Sequence, residues 1–197
     1  MGDTSKRYLL GEILNSVKPI MVLAQKNLCD RMKSIQNILS IRPRWHAVAV
    51  DATGHLRGML ACWDRSMVNV LAYRFLGGIL LSGYICGIPE KLNIINIYAP
   101  SHGRYEFWNR IRGSGILELG NFIIIGDFNT TPLSDEAWGK KSRRDPLAKY
   151  ISDIFVQAQL YDIPLIKYMK FMFNYFLNGM RGTALYLVFV LYSCLSI

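Results

Sequence analysis

The sequence predicts an α/β sandwich, and three observations carry that expectation. Apolar runs bounded by Gly or Pro interleave with segments of helical apolar spacing. The middle of the chain is a succession of hairpin signals, which argues against a purely parallel Rossmann sheet. Finally, 197 residues at 51% hydrophobic and 19% charged are enough to bury one domain's core and too apolar for a disordered chain.

The elements follow in order. Residues 6–18 set Leu9, Leu10, Ile13, Leu14 and Val17 at three- and four-residue spacing, which predicts an amphipathic helix stopped by Pro19. The run "IMVLAQ" (20–25) predicts a buried strand, and residues 28–39 a second helix with Met32, Ile35, Ile38 and Leu39 on one face. "WHAVAVDATG", "MLACWD", "VNVLAYRFLGGILLSGYICG" and "LNIINIYAP" then read as strands, with Gly54 and Gly58 flanking the turn between the first two. A short helix carries Tyr105, Phe107, Trp108 and Ile111. "GNFIIIGDFN" is a further strand, and residues 146–160 a last helix with Leu147, Tyr150, Ile151, Ile154 and Phe155 inward.

Charge and cysteine usage narrow the class. The net charge of +9 suits a polyanionic partner such as nucleic acid or an anionic membrane surface. Cys29, Cys62, Cys86 and Cys194 are far apart, without a CxxC pair or a neighbouring His, which predicts buried free thiols rather than zinc ligands. The N-terminus "MGDTSKRYLL" lacks the apolar core of a secretory signal, so the expected location is intracellular, in nucleus or cytoplasm.

Chemistry concentrates at "FIIIGDFNTTP" (122–132). A buried strand ending in Gly-Asp-Phe-Asn places Asp127 and Asn129 on one side, because side chains alternate, and Phe128 on the other, in packing. Such a pair can orient a water, contact a phosphate or ligate a hard divalent ion, and Gly126 permits close backbone approach. The same residues also fit an Asx-type turn with no chemical role.

"IIIGDFNTTP" resembles the endonuclease/exonuclease/phosphatase superfamily, in particular the endonuclease domains of plant LINE-type retrotransposons. "VDATGHLRGMLACWD" (50–64), "NIINIYAPS" (93–101), "GDTSKRYLLGEILNSVKP" and "AQLYDIPLI" (158–166) resemble further pieces in the same order. The resemblance implies a four-layer, DNase I-like sandwich acting as a Mg2+-dependent phosphodiesterase on DNA. By it, Asp127 would position or activate the attacking water, Asn129 would bind the phosphate, and Tyr98 would steady a phosphate oxygen.

The sequence departs from the family's pattern in three places. The chain begins almost at the first helix, so the first strand and its Asn are missing. The second strand should end in Gln-Glu, the Glu being the main metal ligand, but it reads Gln25-Lys26, and an ammonium repels a metal ion. The late Ser-Asp-His has no counterpart, because His46, His55 and His102 all precede Asp127. These departures imply a partial sandwich over 1–166, missing the first and the C-terminal strands, with 167–197 a divergent apolar tail. They also imply a degenerate copy with impaired catalysis and doubtful Mg2+ binding.

Two other readings stand beside this one. One is a non-catalytic nucleic-acid-binding fragment using Arg42, Arg44, Lys140, Lys141, Arg143 and Arg144, of which "KKSRR" (140–144) is the densest basic cluster. The other is weak membrane association through 183–197, a charge-free stretch shorter than the roughly 18–20 residues of a spanning helix.

Overall fold

The structure, a computed structural model, describes residues 4–27, 30–51, 58–130, 145–162, 174–177 and 188–191. Its elements are α1 (Thr4–Val17), β1 (Met21–Asn27), α2 (Arg31–Ile41), β2 (Trp45–Val50), β3 (Gly58–Asp64), β4 (Val68–Phe75) and β5 (Gly78–Ile85). There follow β6 (Leu92–Tyr98), α3 (Arg104–Gly113), β7 (Phe122–Asp127), α4 (Ala148–Gln157), β8 (Tyr161–Asp162), β9 (Asn174–Leu177) and β10 (Val188–Leu191).

The strands form two sheets, ordered β10-β1-β3-β2 and β4-β5-β6-β7-β9-β8. The β1–β10 and β6–β7 pairs are parallel and the others antiparallel, so the hairpin signals in the middle of the sequence become antiparallel ladders. Residues 167–197, which read as a divergent tail, supply β9 to one sheet and β10 to the other. Among the described residues no helix is long and apolar enough to cross a membrane.

The layers follow from which side chains each strand turns where. Met21, Leu23, Met59, Ala61, Ile79, Leu81, Ile94, Ile123 and Ile125 meet between the sheets. The alternate residues of β6 and β7, among them Ile95, Ile97 and Ile124, pack with Phe107, Trp108, Ile111, Ile151, Ile154 and Phe155 of α3 and α4. On the far side, Leu10, Leu14 and Ile38 of α1 and α2 cover Val22, Trp45 and Cys62. Helix, sheet, sheet and helix thus stack as four layers. Both faces of β6 and β7 are covered, which is why "LNIINIY" and "FIIIG" are buried throughout.

Local chemistry shifts some expected boundaries and faces. Helix α2 starts at Arg31 rather than 28 because Asp30 is its N-cap, accepting from the Lys33 N–H at 2.8 Å. Met32, expected inward, is 58% exposed, and the small Ser34 is buried in its stead. Cys62 is buried as expected, and burial raises its thiol pKa; Cys86 is exposed, because it falls in the turn after β5.

Native-state alkylation followed by peptide mapping should therefore modify Cys86 and spare Cys62 until denaturant is added. Trp108, fully buried and edge-on to Phe107, Phe128 and Phe155, anchors the α3–α4 layer. Trp108→Ala should cost about 3–5 kcal/mol in denaturant unfolding, whereas Val156→Ala on the exposed side of α4 should change stability by no more than about 0.5 kcal/mol.

Candidate functional site

The strand end at Asp127 is assembled by register first. Parallel pairing sets Tyr98 beside Asp127, and the Ala99 N–H donates to the Asp127 carbonyl at 2.8 Å. Alternation along β7 carries Asp127 to the face it shares with Ile123 and Ile125, toward β1. Phe128 turns to the helix layer, as expected from the sequence, and packs on Trp108 and Phe155.

Gln25 of β1 reaches this strand end across the space between the sheets. It is 3% exposed. Its Oε1 accepts from the Asp127 N–H at 3.1 Å, and its Nε2 donates to Asn96 Oδ1 and to the Ile97 carbonyl, each at 2.7 Å. Asn96 in turn donates toward the Ala24 and Leu60 carbonyls at 3.5 Å. The β1–β3 register shifts between Ala24 and Asn27, and Gln25 lies inside that irregularity, where bulges commonly re-aim a side chain. Gly126 makes the close approach possible. Its φ is +138°, and a Cβ there would stand 1.8 Å from the Ile97 carbonyl oxygen and 2.2 Å from Gln25 Nε2.

Asn129 is brought to Asp127 by a turn rather than by the pleat. The strand ends at Asp127, so alternation does not extend to Asn129. Instead the Asn129 N–H donates to Asp127 Oδ1 at 3.0 Å, an Asx turn, and Asn129 adopts φ +47°. Its side-chain amide donates to the Ala99 carbonyl. Its carbonyl accepts from Arg104 Nη1 at 2.7 Å, and the same nitrogen meets Asp145 Oδ2 at 2.5 Å. The turn and the site are thus one object.

The other sequence candidates distribute unevenly. Lys26 follows Gln25 in β1, with its side chain outside the described atoms, and Lys140, Lys141, Arg143 and Arg144 lie outside the described residues, as does His55. Arg42 and Arg44 fall near the start of β1, away from Asp127. His46 is exposed and edge-on to Trp63, and His102 is exposed with Nδ1 3.0 Å from Ser101 Oγ.

Mg2+, the ion implied by the resemblance, is usually bound through one or two carboxylates with waters and substrate phosphate completing its shell, and at this strand end Asp127 would be the carboxylate to hold it. Among the described residues no three His, Cys, Asp or Glu side chains converge. The nearby Asp145 carboxylate is paired with Arg104, and the neighbouring amide oxygen of Gln25 is already engaged by a backbone N–H. Mg2+ is held through oxygen ligands in near-octahedral array.

Gln25, Asn96, Arg104 and Asp145 were not identified as site residues from the sequence. Asn96 carried a signal, since a polar residue inside a doubly covered apolar run must have a buried partner. Arg104 and Asp145 belong to separate segments with no local pattern to join them. Gly126→Ala should lower stability by about 3 kcal/mol and break the Gln25–Asp127 contact, observable as faster exchange of the Asp127 amide proton.

No protein-family model matches the chain, and no curated protein does either. Solved structures do. The endonuclease domain of TRAS1, a telomere-specific non-LTR retrotransposon, superposes with a TM-score of 0.52 at 11% identity, over 81% of this chain and 85% of that one. A conserved protein of unknown function from Enterococcus faecalis V583 gives 0.53 at 10% identity, over 79% and 64%. Humanized D. rerio TDP2 gives 0.51 at 15% identity over 66% of this chain, which spans 58% of its length. The likeness establishes the fold, a DNase I-like α/β sandwich.

Proposed function

We propose that the chain is a degenerate LINE-type endonuclease domain, of the plant kind, that recognises phosphodiesters in nucleic acid, DNA foremost, and hydrolyses them poorly. The observation that carries this reading is the Asx turn joining Asp127 to Asn129 beside Tyr98, on a DNase I-like fold, where no three His, Cys, Asp or Glu side chains converge among the described residues.

Each residue has a chemical part in it. The half-buried Asp127 carboxylate can accept a proton from a water and orient its lone pair toward phosphorus. Asn129 and Tyr98 supply hydrogen-bonding groups for phosphate oxygens. Gln25 and Arg104 hold the strand end and the turn, so these groups are pre-aligned before substrate arrives. Among the described residues no cluster of His, Cys, Asp or Glu stands ready to hold a metal that would neutralise charge as it gathers on the pentacovalent phosphorus. Metal-supplied stabilisation is worth several kcal/mol, and at about 1.4 kcal/mol per tenfold its loss lowers the rate by roughly a thousandfold or more. Lys26 in place of the Glu expected by resemblance works in the same direction.

Binding outlasts catalysis because it draws on charge that the site's decay leaves in place. The net charge of +9 supports salt-sensitive attachment, with 140–144 as the densest cluster.

Supercoiled plasmid incubated with the protein and Mg2+ should stay supercoiled to the level of a protein-free control. Robust nicking that vanishes in Asp127→Ala would overturn the impaired reading. DNA retention should fall steeply with added salt and weaken on charge reversal of Lys140, Lys141, Arg143 and Arg144. Retention indifferent to both changes would refute the binding reading.

A further inference from the structure

The opposite end of β1 holds a feature that the phosphodiester reading does not use. A cavity of about 390 Å3 opens where α1 and α2 end and where β2 begins, beside the last residue of β3. It is lined in part by Ile20, five residues before Gln25, or about 17 Å along the strand from the Asp127 site. The volume is in the range of small-molecule sites, which are mostly apolar with a few placed polar groups.

The lining has that composition. Leu14 at 0% and Trp45 at 7% exposure make a buried apolar floor. Lys18, Arg42 and Arg44 stand around it, with Asp64 as the acid. Arg42 is held in place by donating to Asn15 Oδ1 at 2.8 Å, so its guanidinium is oriented before any ligand binds. Asp64 Oδ1 accepts from the Ser66 N–H at 2.9 Å and hydroxyl at 2.7 Å, which ties the carboxylate to its own turn.

The charges can be weighed. Three cations against one carboxylate leave +2. The C-termini of α1 and α2 each bring about half a negative charge to this end, leaving a balance of about +1. The site therefore favours an anion, and its floor favours an apolar body on that anion.

We propose that this cavity binds a small soluble amphipathic anion, a phosphate or carboxylate head carried on an apolar body. The head sits among Lys18, Arg42 and Arg44, and the body covers the half-buried Ile20 and Ile41 beside Trp45. These are the arginines that the sequence singled out for phosphate contact, here serving a small ligand rather than a polymer.

Titration calorimetry of the full chain with phenyl phosphate tests the proposal. Phenyl phosphate should bind with one site per chain, and Arg44→Glu should weaken it by about tenfold or more, the loss of a charge-assisted contact. Arg44 is exposed, and Lys18→Gln is a second variant that should weaken binding in the same direction. Inorganic phosphate and phenol should each bind far more weakly than phenyl phosphate, and Asp127→Ala should leave binding unchanged. The proposal is overturned by binding that survives both rim variants, by phosphate or phenol matching phenyl phosphate, or by loss in Asp127→Ala alone. Co-sedimentation with phosphatidic acid vesicles in place of phenyl phosphate binding would assign the cations to a membrane surface and overturn it as well.

Discussion

The hydrogen bonds that Gln25 makes across the middle of the sandwich set the position of nearly everything else. The space between the sheets is otherwise filled mostly by Met, Leu, Ile and Val side chains, with Ala61, Trp63 and Tyr98, and apolar packing alone tolerates several staggers of one sheet over the other. Two amides buried there do not. Each unpaired buried polar group costs about 1–3 kcal/mol, so Gln25 and Asn96 must meet, and Gln25 must also find the Asp127 N–H. One alignment of β1 over β6 and β7 satisfies all of these bonds. The polar bridge therefore sets the geometry that the apolar core stabilises.

That bridge also explains why the strand end has the form of a site. Positioning is preserved: the register holds Tyr98 beside Asp127, the Asx turn delivers Asn129, and Arg104 clamps the turn to Asp145. These contacts are structural, and their loss would destabilise the fold itself. The groups that neutralise charge do not hold the fold together in this way. Architecture and reactivity are thus under separate physical constraints within a few ångströms of each other.

Much of the architecture was legible because it rests on local patterns. Doubly covered strands show as unbroken apolar runs, and helices show their inward stripe, with α4 the clearest case. Asp127 stood out because an acid ended such a run, and Phe128 was correctly read as packing. What failed did so where local pattern gives way to tertiary demand. Alternation was extended past the end of β7, although Asn129 is set by a side-chain-to-backbone bond. Met32 was turned inward, although Ser34 is the buried residue on that turn of α2. Gln25 passed as the neutral half of a Gln-Lys pair, because its partners lie more than seventy positions away.

The parallel pairing of β10 with β1 has a consequence for synthesis. Val22 lies against Val188, so one edge of β1 stays open while nearly the whole of the intervening chain is being made. Throughout that interval β1 can pair on its other side with β3, leaving a row of backbone donors and acceptors exposed beside apolar side chains. Pairings of such long span form slowly and late. The nascent chain on the ribosome is consequently most prone to join another copy of itself just before residues 188–191 arrive, and a chaperone that shields strand edges would act in that window.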